Sequence, residues 1–183
     1  GIAKYVGAAR PNVEEELADE KHYSFDVADG PACLRGAAYA MGIRQRDAEN
    51  LLIYLQGGGA CSSAVCKATE TANPKLPHSG LLNPDDNDNP VADWNVVYVP
   101  YCTGDIHGGT RADATVPGVE GVQQFVGYLN IKKFLNRVVP TFPGVSDVLL
   151  TGISAGGFGA ALNAVSVAEA FPNVKMKVID DSG

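Results

Sequence analysis

A serine set among glycines at Gly152-Ile153-Ser154-Ala155-Gly156 is the group in this chain best suited to covalent chemistry. It follows the apolar run Val148-Leu149-Leu150 and opens an alanine-rich stretch. A strand that turns sharply into a helix lifts a serine hydroxyl above the sheet, at the positive end of the helix dipole. Gly152 and Gly156 then leave room where a Cβ would meet the neighbouring strand and helix. The simpler alternative is a glycine-rich turn that binds an anion or only packs closely. A serine nucleophile also needs N–H donors for the oxyanion of its tetrahedral intermediate. One is the residue after the serine, Ala155. Another can come from Gly57-Gly58-Gly59-Ala60, which closes the apolar run 50–56 and brings backbone close to a substrate with no side chain in the way.

Positioning these groups requires a packed sheet, and the 183-residue chain is long enough to bury one as a single domain over 1–183. Hydrophobic residues make up 45% and charged residues 19%, which excludes a disordered chain. With 14 basic against 21 acidic residues the net charge is −7, and no basic run interrupts it. Nucleic acid and anionic membrane surfaces are therefore poor partners. No apolar stretch approaches the roughly 20 residues of a membrane span. Short apolar runs at 50–56, 94–101, 147–153 and 174–179 read as buried strands, and 37–43 as a weaker one. Between them, 118–139 carries Val122, Phe125, Val126 and Leu129 at i, i+3, i+4, i+7, a helical spacing that Pro140 and Pro143 end. Residues 155–171 read as a second helix, stopped by Pro172. Alternating strands and helices predict an α/β fold with a mostly parallel sheet and flanking helices. The acidic run Glu14-Glu15-Glu16 is expected on a solvated face.

Residues 62–93 form a long connection with four prolines, expected to be functional or mobile. Within it Asp85, Asn87 and Asn89 match positions 1, 3 and 5 of a calcium loop. Pro90 stands where glycine is required and Val96 where glutamate is required, so a solvated loop is the better reading. The four cysteines, Cys33, Cys61, Cys66 and Cys102, show no Cys-x-x-Cys and no histidine at metal spacing. A metal site is not expected and no cofactor is implied. An even count permits two disulfides or four buried thiols. Cys61 and Cys66 can close a small loop beside the glycine run, which leaves Cys33 with Cys102. Disulfides would place the protein in an oxidising compartment.

Four blocks together resemble the pectin acetylesterase and Notum carboxylesterase family. They are the run from Leu52 to Cys61, Val97-Tyr98-Val99-Pro100-Tyr101-Cys102-Thr103-Gly104-Asp105, the run from Gly152 to Gly159, and Asp180-Asp181-Ser182-Gly183. They follow the family's order over 50–183, and the first 30 residues carry little of the likeness. The resemblance implies an α/β-hydrolase fold, secretion, and hydrolysis of carboxylic esters on a polymer or lipidated molecule. By position it makes Ser154 the nucleophile and Gly58 and Ala155 the oxyanion donors, with Gly59 a near alternative. Gly59-Ala60 stand where Notum carries a tryptophan after the first two glycines, so acyl specificity does not transfer.

In that fold the triad runs serine, acid, histidine along the chain. After Ser154 this chain offers Glu169, Asp180 and Asp181 but no histidine; His22, His78 and His107 all precede it. His107, with Asp105 in the same loop, follows a strand end and is expected as a neighbour of the site rather than its base. Asp181 is expected beside the site too. The acid and base are then expected in polypeptide beyond residue 183, with 1–183 the N-terminal portion of the fold and 174–179 an apolar edge that further chain covers. The function these readings imply is a secreted serine carboxylesterase that cleaves acetyl-type esters on a polysaccharide or other polymer through an acyl-Ser154 intermediate. The alternative is a non-catalytic relative that binds a carbohydrate or acyl ligand.

Overall fold

A computed structural model of the chain describes residues 13–17, 19–62, 65–66 and 69–182. Seven strands form the main sheet: β1 (Val13–Leu17), β2 (Glu20–Phe25), β3 (Tyr39–Arg44), β4 (Asn50–Leu55), β7 (Asn95–Val99), β10 (Asp147–Ile153) and β11 (Lys175–Asp181). Their spatial order is β1-β2-β3-β7-β4-β10-β11. β7, β4, β10 and β11 run parallel, while β1, β2 and β3 meander antiparallel along one side. Two-stranded hairpins are made by β5 (Cys61–Ser62) with β6 (Val65–Cys66) and by β8 (Arg111–Ala114) with β9 (Gln123–Phe125). The helices are α1 (Gly127–Thr141) and α2 (Ala155–Ala170). This is the α/β-hydrolase-like, mixed but centrally parallel sheet that the sequence implies.

The central strands are apolar at nearly every position because both faces are covered. Successive side chains alternate between faces. Leu51, Ile53, Leu55, Val97, Val99, Val148 and Leu150 face α1 and α2, joining Phe134, Val138 and Val167 in one core. Leu52, Val96, Tyr98 and Leu149 face the other way and meet Leu76, Leu82 and Val91. Among the described residues no α-helix covers this second face. The connection between β6 and β7 does, with a 3-10 turn at Gly80–Leu82. The stretch 85–88 within it is exposed, and Asn89 folds back to donate to the Asn83 carbonyl at 2.7 Å. Among the described residues no cluster of His, Cys, Asp or Glu could hold a metal ion.

The helix expected over 118–139 begins later, at Gly127, and Gln123–Phe125 is a strand instead. Val122 and Leu129 are 47% and 41% exposed, so the i, i+3, i+4, i+7 match did not mark the buried face. That face is Ile131, Phe134, Leu135, Val138 and Val139, and Pro140 sits inside the last turn. Val126 at the N-cap has no side-chain oxygen to offer. The acceptor arrives from 22 residues upstream: Asp105 Oδ2 takes the Gly127 N–H at 2.7 Å and the Gly109 N–H at 3.2 Å, while Thr103 Oγ1 donates to Oδ1 at 2.6 Å. Glu14-Glu15-Glu16, expected as a plain solvated face, belongs to strand β1. β2 also went unread, because Glu20 and His22 interrupt its apolar pattern.

Both expected disulfides form, Cys33–Cys102 and Cys61–Cys66. Their sequence separations are 69 and 5 residues, so their chain-entropy contributions differ, by roughly 4 against roughly 2 kcal/mol. Replacing the Cys33–Cys102 pair by alanines is expected to lower the chemical-denaturation free energy about twice as much as replacing Cys61–Cys66. Equal losses would show that loop entropy is not the main contribution.

Candidate active site

Ser154 is the single residue between the end of β10 and the start of α2, and its φ of +55° with ψ of −124° is far from either element's geometry. Such a conformation is costly for a residue with a Cβ and persists only where the surroundings hold it. Three contacts do so. The Ser154 N–H donates to the Asp181 carbonyl at 2.9 Å. Its own carbonyl accepts from Gly157 N at 2.9 Å. The glycines on either side let α2 press onto the sheet: a Cβ on Gly152 would lie 2.4 Å from the Leu55 oxygen, and one on Gly156 would lie 1.9 Å from the same atom. The expected reason for both glycines is therefore met by the backbone of β4. The serine itself is exposed, and no described side chain hydrogen-bonds its hydroxyl.

The glycine run lies directly alongside. A Cβ on Gly57 would come within 2.3 Å of the Ile153 oxygen and 3.1 Å of Ser154 Cβ. A Cβ on Gly58 would come within 2.9 Å of Tyr101 Cδ1, and Gly59 has a φ of +84°. Among the described residues the N–H groups of Gly58 and Gly59 have no acceptor. Ala155 is the first residue of α2, so its N–H has no intrahelical partner. N–H groups without an acceptor among the described residues, in the two segments that meet at an exposed hydroxyl, are the kind of donor an oxyanion site draws on.

His107 is close but faces elsewhere. It is 2% exposed, its Nε2 donates to the Gln56 carbonyl at 2.8 Å, and its ring lies against Tyr101 at 4.7 Å between centroids. Gly159 is required beside it, since a Cβ there would approach the imidazole to 2.9 Å. It thus braces the residue that precedes the glycine run. Burial pushes its pKa below the usual 6.5, outweighing the Gln56 hydrogen bond and the Asp105 charge. The unfolded chain takes up this proton near pH 6.5 and the folded one does not, so acid favours unfolding. Stability is expected to fall from pH 7 to 5 with a slope from this group of up to about 1.4 kcal/mol per pH unit. In His107→Gln that part of the slope should vanish in pH-dependent denaturation curves; an unchanged slope would mean the ring is protonated when folded.

Asp105 is occupied by the α1 terminus, and Asp181 reaches Ser154 through its backbone oxygen while its side chain is exposed. What the sequence reading missed is the cavity next to Ser154. About 250 Å³ in volume, it is lined by Tyr54, Pro77, Ser79, Leu82, Tyr98 and Ile153 with the glycine loop. A second space of about 490 Å³ adjoins it through Gln56, Pro77 and Tyr98 and reaches Lys75 and His78. Tyr54 and Tyr98 are register partners on β4 and β7 with rings 6.3 Å apart. Burial, helped by Tyr54, pushes the Tyr98 phenol up to about 12, so both cavity-facing phenols stay neutral donors. A tyrosine near the C-terminal end of each of two apolar strands was the available signal.

A family model described as pectinacetylesterase matches residues 21–183. The palmitoleoyl-protein carboxylesterase Notum of Drosophila melanogaster is 31% identical over 116 residues, covering 57% of this chain and 17% of that protein. Those of mouse and human are 29% and 28% identical, covering 72% and 75% of this chain and 29% and 31% of theirs. The structure of the Wnt deacylase Notum from Drosophila superposes with a TM-score of 0.63 at 22% identity, over 83% of this chain and 50% of that one. The chain thus spans half of that structure and about a third or less of these relatives. The blocks that surround Ser154 and the glycine run fall inside the span the family model matches, and the sheet that carries them is shared with a solved esterase: the chain belongs to the pectinacetylesterase family.

Proposed function

We propose that this chain is the nucleophile-bearing portion of a secreted serine carboxylesterase that removes acetyl-type acyl groups from a polysaccharide or other polymer. The observation that carries the reading is Ser154 held at φ +55° between β10 and α2, exposed, beside a glycine run whose Gly58 and Gly59 N–H groups have no acceptor among the described residues. Ser154 Oγ attacks the ester carbonyl carbon as its proton passes to a histidine. The carbonyl oxygen becomes an oxyanion that Gly58, Gly59 and Ala155 N–H groups stabilise. The alcohol leaves with a proton, and water then hydrolyses the acyl-serine. Since no described histidine reaches the hydroxyl, the reading assigns the base and its acid partner to polypeptide outside these 183 residues, seated beside β11. β11 is the outer strand of the described sheet, with Val178 and Ile179 39% and 51% exposed. Family membership supports the ester substrate, and two disulfides support an oxidising, extracytoplasmic setting.

Intact-mass analysis after treatment with a fluorophosphonate tests the mechanism on the whole protein. One adduct, mapped to Ser154, is expected. A complete, folded protein that takes no adduct would instead favour a relative that binds carbohydrate or acyl ligands without cleaving them.

A further inference from the structure

The cavity beside Ser154 has one wall that does not belong to the sheet. Pro77, Ser79 and Leu82 come from the connection between β6 and β7, whose described residues hold a single 3-10 turn of regular structure. Such a segment needs an anchor, and it has an unusual one. Glu20 on β2 and Arg44 on β3 are cross-strand partners, 6% and 1% exposed, joined through Oε1 and Nη2 at 3.2 Å. Each also holds the wall. Glu20 Oε2 accepts the Leu76 N–H at 3.2 Å, and Arg44 Nη1 donates to the Leu82 carbonyl at 3.0 Å. The two hydrogen bonds grip the wall at both ends and leave Pro77 and Ser79 between them facing the cavity. His22 donates to Glu20 Oε2 at 3.3 Å, and Asp19 lies 3.3 Å from Arg44 Nε, so the pair is held from behind as well. Burying two charges costs more than burying apolar residues of the same size. What an apolar pair could not provide is a donor and an acceptor aimed at backbone 38 and 56 residues away.

We infer that Glu20 and Arg44 are positioning residues that fix the Leu76–Leu82 wall of the cleft and thereby set which acyl esters fit against Ser154, an inference that rests on the esterase reading. Neither residue touches the reacting atoms. Their effect is on selectivity: a wall that shifts changes the room for a longer acyl chain more than the room for an acetyl group.

The test uses the whole protein and p-nitrophenyl acetate, butyrate and octanoate. In Glu20→Gln the shape stays, but one acceptor oxygen must serve three donors. In Arg44→Lys the charge stays, but a single ammonium cannot keep the fork that reaches both Glu20 and Leu82. Leu82→Ala alters the wall directly and serves as the reference. Both pair variants are expected to change the octanoate-to-acetate ratio of kcat/KM on the order of tenfold, through KM, in the direction Leu82→Ala shows, with acetate kcat within about threefold. Amide hydrogen exchange at Leu76–Leu82 should quicken in both while β4 and β10 stay protected. Folded variants with an unchanged ratio, or with all three esters slowed equally, would overturn the inference. If the unaltered protein hydrolyses none of the esters, the esterase reading falls, and exchange alone decides the wall: faster at Leu76–Leu82 supports its positioning by the pair, unchanged exchange overturns it.

Discussion

Ser154→Ala is expected to lower ester hydrolysis by the whole protein on the order of 10⁵-fold or more, with the unfolding transition nearly unmoved. On the proposed mechanism, removing the nucleophile eliminates the covalent route but leaves the N–H groups of Gly58, Gly59 and Ala155, which would retain a small residual rate. Alanine sits as awkwardly as serine at φ +55°, so the backbone strain is common to both and cancels in the stability comparison. The lost hydroxyl is exposed and makes no described hydrogen bond, which removes the usual source of destabilisation. The comparison needs kcat on p-nitrophenyl acetate alongside thermal unfolding of both proteins. A variant that keeps more than a hundredth of the activity would place the nucleophile elsewhere.

Gly156→Ala is expected to have the largest effect on stability, a loss of at least about 3 kcal/mol. The added carbon would stand 1.9 Å from the Leu55 oxygen and 2.7 Å from its carbonyl carbon, both backbone atoms of a central strand. No rotamer relieves that contact, and α2 would have to lift off β4. A loss of this size should lower the melting temperature by roughly 6–12 °C for a domain of this length. Lifting α2 also displaces Ala155, so activity should fall with stability. Gly144, which has nothing within 4 Å of its ideal Cβ, is the control: Gly144→Ala should melt within a degree or two of the unaltered protein. Equal melting temperatures for all three would contradict the close approach of helix and strand.

The serine turn was legible because its requirements are local. Gly152, Ser154 and Gly156 lie within five residues, and an apolar strand precedes them. The central strands were legible for a related reason, since burial on both faces leaves a continuous apolar run. The start of α1 was not, because its capping group is Asp105, and nothing near Val126 announces it. The apolar spacing of Val122, Phe125, Val126 and Leu129 fits a helix, yet the chain there satisfies its backbone by pairing with β8. β2 escaped for the opposite reason to β4: its Glu20 is buried against Arg44 on β3 and the Leu76 N–H beyond the glycine run, and His22 is buried on Glu20, which no local pattern reveals. The cavity wall escaped with it. Residues 62–93, with four prolines, read as a functional or mobile connection, and nothing local announces that Leu76, Leu82 and Val91 fasten it to the sheet.

The strand order carries a consequence for how the chain reaches this state. β7 lies between β3 and β4, although both precede it in sequence. Those two strands are separated by only five residues, and a premature hairpin between them would occupy the place that β7 must take. The sheet therefore closes only after residues 95–99 have been made, when β7 inserts with antiparallel pairing on one side and parallel pairing on the other. The Cys33–Cys102 bond becomes possible at the same moment, three residues past the end of β7. Cys61 and Cys66 emerge earlier and can pair with each other first, which keeps Cys33 from being captured by either. β7 thus joins strands that both precede it in the chain, and its pairings on both sides span long stretches of sequence, the kind of contact whose loop-closure cost slows folding.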